Sequence, residues 1–454
     1  MKTLVIIDDE PVIRGMLARH LELQGWRVLE AENGDRGLEL IASHRPDAVL
    51  SDLLMPGTNG FKVCRTIRSR RAELGDVTII ITTGSSFPAD RKSALEAGAD
   101  HYLLKPVSPK EVIAILENLH PTIRPALTTP TAPAPPAVAG GAEEVRIRFW
   151  GVRGSIASPG PTTIRYGGNT SCVEVRSGRE LIVLDAGTGI RLLGDSLRKE
   201  FAGRPIKATL LLTHTHWDHI QGLPFFRPAY DQGNSVTVLG YEGAQQSLLK
   251  TLSAQMDSAF FPVSLDQLKG SLAVQELKEL EFRVGPIPVQ ATFTNHPGIT
   301  LAYRLCTPCG GVVYMPDTEI LPFPRPRPGE AGVAAPAEPT SEEFSDYKNQ
   351  LLAEFAQDAE VFICDAQYTA EEYEQHKGWG HSCIDDTVTM ALRAKVRRLL
   401  LFHHDPARDD AGVDQMVAHA RALVAAQGAS LQVDAAAEGL ELVLKKKNRG
   451  PNRS

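Results

Sequence analysis

The chain has 454 residues, of which 43% are hydrophobic and 23% charged, and a net charge of -7. That length exceeds what one hydrophobic core supports and implies two or three globular domains. The acidic balance excludes a global positive field that would gather nucleic acid or an anionic membrane surface. Six cysteines, at 64, 172, 306, 309, 364 and 383, are too sparse for a disulfide framework and point to a reducing compartment. The first residues lack the pattern of a signal peptide, and no apolar run approaches membrane-spanning length, so a cytoplasmic location is expected.

Residues 1–120 alternate between two periodicities. "TLVIID", "RVLEAE", "DAVLSD", "VTIIITT" and "HYLLKP" have the pattern of strands, and each is followed by a helical segment, from "EPVIRGMLARHLELQG" to "PKEVIAILENLH". Five strands alternating with five helices predict an α/β domain with a parallel sheet covered on both faces. Ligands of such sheets gather beyond the carboxyl ends of the strands. Asp8 and Asp9 stand at the end of the first strand, Asp52 at the end of the third, Thr82 or Thr83 at the fourth and Lys105 at the fifth. Clustered carboxylates repel one another and suit a hard cation such as Mg²⁺. A lysine opposite them can neutralise an incoming phosphoryl group, and Asp52 can act as the nucleophile that accepts it.

The pieces "IIDDEP", "SDLLMPGTNG", "TTGS" and "AGADHYLLKP" give this domain a resemblance to the response-regulator receiver family over its whole length. The resemblance implies a flavodoxin-like, doubly wound fold with Asp52 as phosphoacceptor. It also implies Mg²⁺ on Asp8, Asp9, Asp52 and the carbonyl of Leu54, and a switch pair of Thr83 and Tyr102 with Lys105. The implied partner is a sensor histidine kinase. Phosphorylation would add about -1.5 to -2 charge at Asp52.

Residues 121–143, rich in Pro, Ala and Thr, cannot bury a core and are expected to form a semi-stiff tether. A larger domain is expected over 144–447, with a proline-rich surface loop at 321–339 and a basic tail at 448–454. Within it, the apolar run "KATLLLT" leads into "HTHWDH", placing His214, His216, Asp218 and His219 in six residues. Imidazoles and a carboxylate suit Zn²⁺ or a similar borderline metal, and four donors on one loop exceed the need of one ion. Further donors follow strand-like runs: His296 in "VQATFTNHPG", Asp317 in "GGVVYMPDTE", His403 or His404 in "RRLLLFHHDP", and His381 in "GWGHS".

On these residues, 147–445 resembles the metallo-β-lactamase fold superfamily, and the order of donors is similar to its ribonuclease Z and phosphodiesterase branch. The resemblance implies an αββα sandwich holding two Zn²⁺, or Mn²⁺ or Fe²⁺. His214, His216 and His296 would take one ion; Asp218, His219 and His403 would take the other, with Asp317 bridging. His381 lies 22 residues before His403, the place of that branch's catalytic histidine, which favours His403 over His404. Asp218 and His381 are then the proton-transfer candidates, and Asp185 of "VLDAGTG" would orient a ligand histidine. Ribonuclease Z follows its late histidine with Glu, whereas Ser382 stands here, and no long basic arm for tRNA is visible.

Trp217 is expected to pack against the wall of the site and Trp379 to shape the pocket. "CTPC" and "DAGTG" are expected to be turns. Together these features describe a response regulator with an enzymatic output. The expected substrate is a small phosphodiester such as a cyclic nucleotide; neither nucleic acid nor membrane is expected as a partner. A lactone, ester or thioester hydrolase on the same site, or a non-catalytic signalling module, are the alternatives. The tether would permit occlusion of the site by the receiver or a phosphorylation-driven homodimer, and the sequence does not choose between them.

Overall fold

A computed structural model of the chain describes residues 2–117, 144–243, 246–268, 270–322 and 341–446. The tether expected at 121–143, the tail at 448–454 and most of the loop at 321–339 lie outside the described residues. The described residues fall into two compact units, one holding 2–117 and 341–345 and one holding 144–322 and 346–446.

In the first unit, β1 (Thr3–Ile7), β2 (Arg27–Ala31), β3 (Ala48–Asp52), β4 (Thr78–Thr83) and β5 (His101–Leu104) form one parallel sheet in the order β2-β1-β3-β4-β5. Every residue of β1 and β3 is buried, because helices cover both faces; this is why "TLVII" is apolar without alternation. Asn33 and Asn59 begin the helices Gly34–His44 and Gly60–Ser69 by accepting from the N–H groups of Arg36 and Lys62 at 2.8 and 2.9 Å. Each such cap contributes about 1 kcal/mol. A four-residue helix, Arg71–Leu74, adds to the five expected helices; it is too short for hydrophobic periodicity to register. The strand order reverses between β1 and β3, and the crevice beyond their carboxyl ends collects Asp8 and Asp52.

The second unit rests on two mixed seven-stranded sheets. One contains β6 (Glu144–Gly151), β7 (Cys172–Ser177), β8 (Glu180–Leu184), β9 (Lys207–Leu211), β10 (Ser235–Gly240), β11 (Ser271–Glu276) and, at its far edge beside β6, β19 (Glu441–Lys445). The other runs in sequence order from β12 (Glu281–Val284), β13 (Ile287–Phe293), β14 (Leu301–Thr307) and β15 (Gly310–Met315) to β16 (Val361–Asp365), β17 (Arg398–Phe402) and β18 (Gln432–Ala435). The inner faces meet through rings: Phe149 of β6 lies 6.3 Å from Phe402 of β17, and Tyr314 of β15 lies 5.5 Å from the same ring. On the outer face of the first sheet, Leu181, Val183, Leu210 and Val236 pack with Leu193 and Leu197 of helix Ile190–Phe201. On the outer face of the second, Phe362, Leu399 and Leu401 pack with Val388 and Ala391 of helix Ile384–Arg393 and with Val413 and Val417 of helix Asp410–Ala426. The layers are therefore helix, sheet, sheet, helix.

Parallel pairing aligns the strand ends that matter. Leu184 faces Leu211 at the ends of β8 and β9, Met315 faces Cys364 at the ends of β15 and β16, and Asp365 faces Phe402 at the ends of β16 and β17. β13 ends on the same side, because two antiparallel steps through β14 restore its direction. The Leu301 N–H donates to Thr213 O at 3.0 Å and ties the two sheets together there.

Candidate active site

Beyond the end of β9 the chain turns through His214 and His216 into a short helix, Trp217–Ile220, that carries Asp218 and His219. The residues singled out in sequence converge here in two groups, each with its donor atoms within 4.8 Å of one another: His214, His216 and His296; and Asp218, His219, Asp317 and His403. The Asp317 carboxylate stands between the groups. It lies 3.1 Å from His219 Nε2 and 3.4 Å from His403 Nε2 on one side, and 3.7 Å from His296 Nε2 and 3.9 Å from His214 Nε2 on the other. His216 Nδ1 is 3.1 Å from His296 Nε2, and Asp218 Oδ2 is 3.0 Å from His403 Nε2. His404 is elsewhere, with its Nε2 donating to Ala436 O at 2.9 Å.

Three of the imidazoles are turned by a partner on the far nitrogen. His219 Nδ1–H donates to Asp185 Oδ2 at 2.8 Å, His403 Nδ1–H to Gln367 Oε1 at 2.9 Å, and His296 Nδ1–H to Gly380 O at 2.8 Å. These bonds fix the tautomer and leave Nε2 bare toward the cluster. Asp185 is itself held by the Thr213 N–H, the Thr213 hydroxyl and the Tyr314 hydroxyl at 2.8, 2.9 and 2.9 Å. The Ser155 N–H donates to Asp218 Oδ2 at 2.7 Å. Asp185, Ser155 and His403 all have left-handed backbone, at φ 60°, 60° and 58°. Such conformations cost about 1–3 kcal/mol each and persist where surrounding contacts over-determine them.

His381, buried, stacks on His403 with ring centroids 4.7 Å apart, and its Nδ1–H donates to Asp365 Oδ2 at 2.7 Å. Burial alone would lower the His381 pKa; the Asp365 carboxylate outweighs it and lifts it to about 9. Ser382 follows His381, and the carboxylate beside the histidine comes from the end of β16. Asp365 and Gln367 were not singled out in sequence. The signal was present in "VFICDAQ", an acid ending a buried strand, the same signal that marks Asp185. Ser382 instead donates through its hydroxyl to Thr318 O at 2.5 Å.

Burial holds the imidazoles of His214 and His296 well below their ordinary pKa, the neutral form in which histidine binds metal. Burial would raise Asp218 and Asp317, but His219 and His403 outweigh it and keep both carboxylates ionised. The donor set also fits an ion by its unmet bonding. His214 Nε2, His219 Nε2 and Asp317 Oδ1 are buried and form no hydrogen bond among the described residues. Ligands about 2.0–2.2 Å from a tetrahedral ion stand about 3.3–3.6 Å apart, and the nitrogens and oxygens here stand 3.0–3.9 Å apart, a range that brackets that spacing. A cavity of 490 Å³ opens onto the cluster, lined by Ser155, Thr215, His216, Trp217, Asp218, Asp317 and His381. Trp217 does not pack against the wall as expected: it is 78% exposed at this opening, and Trp379 is 61% exposed with its ring edge-on to His376.

Gly380 shows how tightly the site is drawn. It has φ 86°, and a Cβ there would lie 2.5 Å from His296 Nδ1. Gly380→Ala is expected to displace His296 and cost about 1–3 kcal/mol in backbone strain alone. Thermal unfolding together with metal content would check this; an unchanged metal content would count against the placement of His296 as a donor.

In the first unit, Lys105 Nζ lies 2.8 Å from Asp52 Oδ2, 2.9 Å from Asp8 Oδ2 and 3.5 Å from Glu10 Oε1. The acids gathered within 4.8 Å are Asp8, Glu10 and Asp52; Asp9 is exposed and outside that group. Glu10 was missed because the pattern at a strand end drew attention to the first two acids of "DDE". Thr83 is buried and accepts from the Ser85 N–H at 3.0 Å, and the Tyr102 hydroxyl donates to Ser85 O at 2.9 Å.

The family model described as the response regulator receiver domain matches residues 4–117, and that described as the beta-lactamase superfamily domain matches residues 181–333. The phosphate regulon transcriptional regulatory protein PhoB of Pseudomonas aeruginosa is 42% identical over 117 residues, which are 26% of this chain and 50% of PhoB. The chain spans about half the length of the curated relatives it matches. Among solved structures, the metallo-β-lactamase fold protein YhfI from Bacillus subtilis aligns with TM-score 0.45 and 16% identity over 66% of this chain and 99% of YhfI. A diphosphatase of the PhnP family aligns with TM-score 0.43 and 16% identity over 67% of this chain and 98% of its own. The chain thus carries an N-terminal segment, 4–117, that matches the response regulator receiver domain, followed by a segment, 181–333, that matches the beta-lactamase superfamily domain.

Proposed function

We propose that the second unit hydrolyses a small phosphodiester, a cyclic or linear nucleotide, with two divalent cations (Zn²⁺, Mn²⁺ or Fe²⁺), under the control of phosphorylation at Asp52. The observation that carries this reading is the Asp317 carboxylate shared between two donor groups beside a histidine with its own buried carboxylate. His214, His216 and His296 would hold one ion, and Asp218, His219 and His403 the other, with Asp317 between them. Such a pair supplies Lewis acidity at the phosphoryl oxygens and an acidified water. The remaining work falls to the chain. Asp218, steadied by the Ser155 N–H, is placed to take a proton. His381, kept charged by Asp365, donates one through Nε2 to the departing oxygen. Asp185, Gln367 and the Gly380 carbonyl hold the imidazoles in register.

In the receiver domain, Asp52 is the phosphoacceptor in this reading, and a sensor histidine kinase is its phosphodonor. Asp8 and Asp52 would hold Mg²⁺ with Glu10 or Asp9 beside them. Lys105, already against Asp52, would meet the phosphoryl group, and Thr83 and Tyr102 would respond to it.

Purified protein loaded with Zn²⁺ or Mn²⁺ should turn over cyclic nucleotides and bis(p-nitrophenyl) phosphate. Bound metal without turnover would end the phosphodiesterase reading, and turnover of lactones or thioesters alone would move the site to carbonyl chemistry. Turnover should also differ between wild type, Asp52→Ala and protein treated with a small acyl phosphate; equal rates in all three would refute the coupling.

A further inference from the structure

Glu319, two residues after Asp317, is a buried carboxylate that takes part in no ion pair among the described residues. It accepts four hydrogen bonds instead. The Gly378 N–H reaches both of its oxygens at 2.9 and 3.1 Å, the Gly380 N–H donates at 3.0 Å, and the Tyr373 hydroxyl donates at 2.8 Å. An anion buried without a cation is costly unless hydrogen bonds replace its water. Its retention here has a structural product, because both glycines belong to the segment that carries the Gly380 carbonyl and His381. The Gly380 carbonyl is the acceptor for His296 Nδ1–H at 2.8 Å. The backbone of Glu319 grips the other side of His296: its N–H donates to Asn295 O at 2.7 Å, and the Asn295 side-chain amide donates to Glu319 O at 2.9 Å.

We infer that Glu319 is the positioning residue for the ion held by His214, His216 and His296: it clamps the Gly378–Gly380 backbone so that the Gly380 carbonyl orients His296. This rests on the two-metal reading of the site. The imidazoles of the second donor group take their hydrogen bonds from separate supports, Asp185 behind His219 and Gln367 behind His403, and neither bond involves Glu319. Loss of the carboxylate should therefore weaken one ion and spare the other.

The test is a competition titration of the full-length apo-protein with Zn²⁺ against a chromophoric chelator, repeated with Co²⁺ to follow ligand-field absorption. Wild type should bind two ions. Glu319→Ala should bind one as wild type does and the other about 10–100-fold more weakly, the usual effect of removing a residue that orients a ligand. Tyr373→Phe removes one donor to Glu319 but leaves both glycine clamps; it should bind both ions like wild type, which separates the clamp from general packing of the region. Two equally tight ions in Glu319→Ala would overturn this inference alone, as would equal weakening of both ions. A wild-type protein that holds no divalent metal would overturn it together with the site reading.

Discussion

Replacing His381 by alanine should lower kcat for a nucleotide diester by about 10²–10⁴-fold, the usual effect of a general acid in the transition state. The same variant should turn over bis(p-nitrophenyl) phosphate almost as fast as wild type, since a weakly basic leaving group departs without a proton. The split between the two substrates is the diagnostic result. It follows from the geometry: Asp365 ties Nδ1 at 2.7 Å, so only Nε2 is left to serve the substrate, and His381 lines the cavity over the donor cluster. Asp365→Asn preserves shape but removes the charge that keeps the ring protonated, and should reproduce part of the loss, about 10–100-fold. Equal slowing of both substrates would reassign His381 to holding the stack on His403.

Asp317→Ala should have the larger effect, because it touches both donor groups at once. Four imidazole nitrogens lie within 3.9 Å of its oxygens. Without it the group of His214, His216 and His296 has no carboxylate, and the other group keeps only Asp218. Lewis-acid stabilisation worth several kcal/mol would go with the metal, so hydrolysis should fall by at least about 10³-fold, at 1.4 kcal/mol per decade. Metal analysis of the purified variant is the direct check. Retention of both ions with activity near wild type would show that Asp317 is not the shared ligand.

Much of this was legible in sequence because strand ends announce themselves. The runs "KATLLLT" and "TLVII" are apolar through burial on both faces, and the polar residues that follow them stand where the sheet stops. His214, His216, Asp218, His219, His296, Asp317 and His403 all follow strand-like runs, and the structure gathers them. Other features were not legible. Asp365 is a single acid at the end of a buried strand, and local pattern does not say which histidine 16 residues away it will meet. Glu319 looks like any acid near a turn; its role exists only once Gly378 and Gly380 fold back onto it. Trp217 appeared to belong inside because it is large and apolar and sits between two ligands. The short helix that turns Asp218 and His219 inward turns Trp217 outward, since adjacent helical positions point about 100° apart.

The donors that converge at Asp317 hang from different sheets: His214, His216, Asp218 and His219 follow β9, whereas His296, Asp317 and His403 follow β13, β15 and β17. An ion seated there would act as a rivet through the sandwich, and its affinity would then be part of what keeps the two halves closed. A free concentration 100 times the dissociation constant would add about 2.7 kcal/mol to folding, a sizeable share of the few kcal/mol by which domains outlast unfolding. Scarcity of the ion in the cell would then act on abundance as well as on rate, because an unriveted domain opens more often to proteases.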